Sequence, residues 1–104
     1  MKNTSNEYEV LISKKALNDI DDIYSYISFE ILEPQIAKNQ VERIWSTIFS
    51  LSTFPNSHQN RLVGRYSGGT YKQATVDNYI IIFKVDENNK RVLVITIQYV
   101  GRNT

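Results

Sequence analysis

Residues 13–34 read SKKALNDIDDIYSYISFEILEP, and the fold turns on them. Leu17, Ile20, Tyr24, Ile27 and Ile31 recur at spacings of three and four, and Ile23 widens the stripe. Asn18, Asp19, Asp22, Ser25 and Ser28 occupy the other face. Apolar residues at that period predict an amphipathic helix that buries one side. Ser13 stands just before it, where a hydroxyl can accept an orphan backbone N–H as an N-cap. The acidic residues near the start suit the positive end of the helix dipole. Glu33-Pro34 stops the pattern, because proline disfavours helical geometry in the residue before it yet fits the first turn of a following helix.

The following helix starts at once. Ala37, Val41, Ile44, Ile48 and Leu51 step by four, three, four and three, Trp45 broadens the seam, and Phe54-Pro55 closes it. Two helices joined by so short a break run antiparallel, as an αα-hairpin. The seam lasts about two heptads, too short for a coiled coil. Upstream, Tyr8–Ile12 is β-prone and reads as a first strand. Downstream of the polar run NSHQN (56–60) the period changes to two, giving strands at Tyr71–Val76, Tyr79–Val85 and Arg91–Tyr99. Asp77-Asn78 supplies a tight hairpin turn, and Arg61–Arg65 offers a further short strand. Tyr79–Phe83 is apolar on both faces, which places that strand mid-sheet. The predicted class is α+β: an N-terminal strand and an antiparallel two-helix hairpin packed on a three- to four-stranded antiparallel sheet. Ile20, Ile27, Val41, Ile44, Ile48, Ile81, Phe83, Val94, and Thr96 or its neighbours Ile95 and Ile97, are the expected core. Both faces of the last strand are apolar, so its inward face stays open.

At 104 residues the chain is expected to form one domain, 1–104, with two thirds or so of its surface buried on folding. It holds no cysteine, which excludes disulfides, thiolate metal sites and thiol nucleophiles. The opening MKNTSNEYE lacks the apolar segment of a signal peptide, and no apolar run could span a bilayer. A soluble cytoplasmic protein is the expectation, with no membrane partner. Charge is asymmetric: residues 1–57 carry five Lys/Arg against eight Asp/Glu, and residues 58–104 carry seven against three. The basic second half suits anionic partners.

Signatures of small-molecule enzymes are missing: there is no phosphate-binding glycine loop, nucleophile elbow or zincin helix. Gly68-Gly69 reads as a turn. Asp19, Asp21 and Asp22 read as a solvated helix start rather than a metal or acid pair, so no metal or cofactor is expected. His58 is the only imidazole, so an acid–base role near neutral pH would fall to it, from a polar loop where a lone histidine is ordinarily solvated. Arg61, Arg65, Lys72, Lys84, Arg91 and Arg102 alternate with Tyr66, Tyr71, Tyr79 and Tyr99. Guanidinium groups bind phosphate and tyrosines stack on bases, as a nucleic-acid-facing surface requires. The isoelectric point near 7.9 falls short of the strongly basic footprint of such proteins, and the same residues also serve simply to keep a sheet soluble.

Over residues 8–103 the chain resembles the RelE/ParE superfamily of toxins from bacterial type II toxin–antitoxin pairs, and its helical half is most similar to the ParE branch. Ala16 to Ile27 (ALNDIDDIYSYI) resembles the first-helix pattern of that branch, and Ala37, Ile44, Ile48, Leu51 and Pro55 its second helix and exit. Tyr71-Lys72 stands where Tyr-Arg is common, Asn78-Tyr79 matches the Asn-Tyr hairpin, and Val92–Ile97 the last strand. Tyr99–Asn103 (YVGRN) resembles the closing HGRRD-type motif, with Gly101 in place of one arginine and Arg102 keeping the other.

The resemblance implies a toxin neutralised by a cognate antitoxin in a hetero-oligomer, acting on DNA gyrase by binding, with no catalytic residues and no cofactor. Target contacts would fall to Arg61, Arg65, Lys72 and Arg102. The alternative it implies is a ribosome-dependent mRNA endoribonuclease, for which Lys72, Arg102, His58 and Tyr99 are the available catalytic groups. Cleavage through the 2′-hydroxyl needs a base, an acid and stabilisation of the extra phosphate charge. The arginine expected on the strand after Tyr-Lys is replaced by Ala74, Thr75 and Val76, and no tyrosine follows the closing motif. Both departures favour the gyrase reading.

Overall fold

Ser13 caps the first helix as the sequence predicts: its Oγ accepts the Ala16 N–H at 2.9 Å and donates to the Ile95 carbonyl at 2.7 Å. The computed structural model describes residues 7–61, 66 and 70–101. In it, α1 (Lys14–Ser25) continues into a π-helical turn over Tyr26–Glu30, closed by the Ile31 N–H on the Tyr26 carbonyl. Leu32, at φ +64°, and Glu33 then redirect the chain into α2 (Pro34–Ser50), with Pro34 in its first turn. The break at Glu33-Pro34 thus falls where predicted, separating the two helices of the hairpin. Among the described residues no helix is long and apolar enough to cross a membrane.

The sheet has five strands, β1 (Glu9–Ile12), β2 (Gln59–Asn60), β3 (Lys72–Val76), β4 (Tyr79–Asp86) and β5 (Arg91–Tyr99), in the order β1-β5-β4-β3-β2. The expected antiparallel sheet of three or four strands is therefore larger and mixed. β1 joins parallel to β5, Glu9 opposite Arg91 and Ile12 opposite Val94, and a parallel pair needs a long crossover, here supplied by everything between. A short strand lies just before the one expected at Arg61–Arg65: Gln59 and Asn60 face Gln73 and Lys72, and the Arg61 N–H extends the ladder to the Tyr71 carbonyl. Residues 62–65 lie outside the described residues. β4 is central, as its two apolar faces predict, with every residue from Tyr79 to Phe83 buried.

The helices pack on one face of the sheet. Ile20, Ile44, Ile48, Ile81, Phe83 and Val94 are buried as expected, whereas Ile27 and Val41 are only half-buried. Leu17, Tyr24 and Ile31, placed on the buried stripe by sequence, are exposed. The helix instead turns Ala16 and Ile20 inward, followed by Ile23 and Ile27, a stripe rotated by about one residue. On β5, Val92 and Val94 face in and Leu93 faces out. The β4–β5 register shifts beside Ile82 and Phe83, which oppose Thr96 and Val94 and leave Ile95 as a bulge. Past it both Thr96 and Ile97 are buried, so alternation breaks where an extra residue enters the strand.

Candidate functional site

One end of the sheet is closed by its own polar groups. Lys72 sits at the start of β3 opposite Phe83, and its ammonium donates to Asn60 Oδ1 at 2.7 Å, the His58 carbonyl at 3.3 Å and the Asn56 carbonyl at 3.5 Å. His58 turns its ring edge-on to Phe83, with centroids 5.7 Å apart, so it is half-buried against the core. Asn56 also donates to Glu87, which accepts from the Tyr8 hydroxyl at 2.9 Å. Lys90 lies over the Tyr8 ring at 4.8 Å and 3.6 Å from Glu87. The Tyr8 and Asn56 hydrogen bonds hold the Glu87 carboxyl below the usual range.

Arg61 is on the opposite face from the helices. Its Nε donates to the Tyr66 carbonyl at 2.7 Å and one terminal nitrogen to Gln73 Oε1 at 2.9 Å. Tyr66 packs edge-on to Tyr71, over which Lys84 places its ammonium at 5.5 Å. These contacts anchor residues 66 and 71 to the strand. Arg65 and Arg102 lie outside the described residues, as do Gly68, Gly69 and Asn103.

Tyr99 is at the other end, opposite Tyr79, with ring centroids 5.4 Å apart. At about 3.3 Å per residue, the level of Tyr79 is about 13 Å along β4 from that of Phe83, and Lys72 lies two strands over from Tyr99. The structure therefore brings Lys72 beside His58 and leaves Tyr99 apart from both. Around Tyr99 a cleft of about 380 Å³ opens, lined by Asp22, Ile23, Tyr26, Ile27, Tyr79 and Tyr99. The π turn places Tyr26 and Ile27 at its wall. Burial, with the Tyr99 and Tyr26 phenols and Asp77 adding, pushes the Tyr79 phenol up, so it stays protonated at neutral pH. Gly101 bends the chain at φ +73°, and a Cβ there would meet the Tyr99 ring at 3.4 Å. An arginine at this position of the closing motif would be strained.

Two carboxylates frame this end. Asp77, at φ +55° in the β3–β4 turn, accepts from Arg43 Nε at 2.7 Å and Gln40 at 2.9 Å, and Arg43 first, then Gln40, holds it below the usual carboxylate range. Asp19 does not belong to a solvated helix start as the sequence suggested. Its carboxylate accepts from Thr96 Oγ1 at 2.5 Å and the Ile97 N–H at 3.0 Å, and pairs with Lys15 at 2.7 Å. β1 ends opposite Val94, so the β5 backbone beyond the bulge needs another acceptor, and Asp19 provides it. Burial opposes its charge, but the hydrogen bonds from Lys15, Thr96 and Ile97 outweigh that and lower its pKa. Asp21 and Asp22 are exposed. Among the described residues no group of three or more His, Cys, Asp or Glu side chains could hold a metal ion.

The family model described as the ParE toxin of type II toxin–antitoxin systems, parDE, matches residues 10–103. The chain belongs to this family. The fold agrees: the chromosomal ParDE toxin–antitoxin system from P. aeruginosa superposes with a TM-score of 0.76 at 19% identity, covering 92% of this chain and 99% of that one. A RelBE toxin–antitoxin complex from Mycobacterium tuberculosis gives 0.65 at 16% identity, over 91% and 94%. The archaeal RelE–RelB complex from Pyrococcus horikoshii gives 0.60 at 16%, over 93% and 99%. No curated protein sequence matches the chain. Within this ParE fold, the cleft joins Tyr26, which sequence reading passed over, to Asp22, which it assigned to a solvated helix start. Their i, i+4 spacing puts them on one helix face, but only the fold brings Tyr79 and Tyr99 to them.

Proposed function

We propose that this ParE-family toxin inhibits DNA gyrase by binding it, and that a cognate antitoxin neutralises it in a hetero-oligomeric complex. Residues 1–104 act as one domain in this reading. The observation that carries it is the dispersal of Lys72, His58 and Tyr99, the described groups among those a ribonuclease would use. Lys72 is engaged by three oxygens, His58 is set against Phe83, and Tyr99 lies at the far end of the sheet. A phosphoryl-transfer site needs its base, acid and cation within hydrogen-bond reach of one substrate. A binding protein has no such requirement. Lys72 and Arg61 then order the surface around residues 56–61, Tyr66 and Tyr71, while Arg65 and Arg102 contact the target. The antitoxin partner is supported by family membership and by the solved complexes of the same fold.

The alternative is a ribosome-dependent endoribonuclease, favoured by the contact of the Lys72 ammonium with the His58 carbonyl. A purified system separates the two. The protein added to gyrase, ATP and plasmid is expected to trap cleaved DNA, and translating ribosomes with message are expected to show no new RNA ends. Codon-positioned RNA cuts with no effect on gyrase would reverse the assignment. The antitoxin reading is checked by co-expression with the product of the neighbouring gene, which should restore growth and co-elute with the toxin.

A further inference from the structure

The cleft at the tyrosine end has a composition that the molecule fills elsewhere with one of its own side chains. At the closed end, Tyr8 offers a ring and Glu87 a carboxylate, and Lys90 lies across the ring at 4.8 Å while reaching the carboxylate at 3.6 Å. The cleft repeats the set with three tyrosines and Asp22, over a floor of Ile23 and Ile27. Among the described residues no cation lines it. Asp22 is the one charged residue among those that line the cleft, and among the described residues it makes no hydrogen bond or ion pair. Tyr26 and Tyr99 leave 57% and 65% of their surface exposed, while Tyr79 is buried beneath them, so the rings form walls open to an incoming group.

We propose that this cleft receives an arginine side chain of the antitoxin. Three features select that occupant. The isoleucine floor suits an aliphatic stem, the ring faces attract a cation, and the carboxylate at the rim pairs with it. Arginine fits better than lysine, because its planar head stacks on a ring and donates two parallel hydrogen bonds to one carboxylate. The volume, about 380 Å³, lies at the small end of ligand sites and suits a side chain with its flanking backbone rather than a large cofactor. The π turn is what makes the room: it lets Tyr26 and Ile27 both line the cleft in a helix whose regular winding ends at Ser25.

The choice of the antitoxin as donor rests on the neutralisation reading above, whereas the chemistry of the cleft does not, and two measurements keep them apart. In the first, Nα-acetylarginine amide is titrated into the full chain and the ring signals of Tyr26, Tyr79 and Tyr99 are followed by NMR. Saturable shifts are expected that Nα-acetylnorleucine amide does not produce. Asp22→Asn is expected to weaken them about tenfold and Asp21→Asn to leave them unchanged. Equal shifts with the neutral amide, or an unaffected Asp22→Asn, overturn the site. In the second, the neighbouring gene's product is titrated into the same variants. Selective weakening with Asp22→Asn supports the antitoxin as donor, and wild-type affinity for that variant overturns it. If wild-type toxin does not bind that product at all, the neutralisation reading falls and the antitoxin assignment with it, while the first measurement still decides the cleft.

Discussion

The two ends of the sheet treat similar side chains in opposite ways. Around Lys72 and Glu87 every described charge is met from within: Asn56, Asn60, Tyr8 and Lys90 link β1, the turn before β2, β3 and the β4–β5 turn into one polar network. Around Tyr79 the chain leaves the Tyr26 and Tyr99 rings uncovered, and Asp22 makes no hydrogen bond or ion pair among the described residues. A basic residue on a strand can thus serve the fold itself, since Lys72 is met by the Asn60 side chain and two backbone carbonyls. The tyrosines, which look like ordinary sheet residues in sequence, are the groups left to meet another molecule.

Substitutions test whether this contrast is real. The largest effect is expected from Phe83→Ala, which removes a fully buried ring beneath both β3 and His58. It should cost about 3–5 kcal/mol in urea unfolding, and a cost near 1 kcal/mol would show that the closed end is not built on the core. Asp19→Ala should follow, at about 1–3 kcal/mol, because it strands the Ile97 N–H and the Thr96 hydroxyl. This contribution also has a pH signature. The folded pKa of Asp19 is lowered, so its stabilisation is complete above the unfolded value of about 4 and is lost as pH falls from there through the folded pKa. Stability measured from pH 6 downward should therefore fall less steeply in Asp19→Asn than in wild type.

Lys72→Met is expected to cost about 1 kcal/mol, as three oxygens lose a charged donor at a half-buried site. Asp22→Asn, at the other end, should change stability by no more than about 0.5 kcal/mol, since it is exposed and makes no hydrogen bond or ion pair among the described residues. If the two were to exchange magnitudes, Asp22 would be the structural group and Lys72 the free one, and the contrast would be inverted.

The elements that were legible are those written locally. Ser13 as a cap, Pro34 as a start and Tyr79–Phe83 as a central strand each follow from a few neighbouring residues. What was illegible depends on partners far along the chain. Asp19 looks like any first-turn acid until the bulge at Ile95 and the end of β1 leave an N–H for it to accept. The stripe on α1 was misplaced by one residue because Leu17, Tyr24 and Ile31 keep the helical period as well as the buried set does. The π turn has no marker in composition, and without it the cleft could not be drawn. The cage around Lys72 was equally illegible, because it comes from the NSHQN run, whose backbone oxygens have no signature in sequence.

β1 has a single strand neighbour, β5, and its partners Arg91 to Val94 are made 82 residues after it. During synthesis at about 5–20 residues per second, the first strand waits about 4–16 s for the last one to be made. Until then the sheet cannot close, Ser13 lacks the Ile95 carbonyl, and Asp19 lacks Thr96 and Ile97. The walls contributed by Tyr79 and Tyr99 are likewise not in place. A chain still being made thus has neither the closed sheet nor the cleft, and whatever binds there must wait for β5.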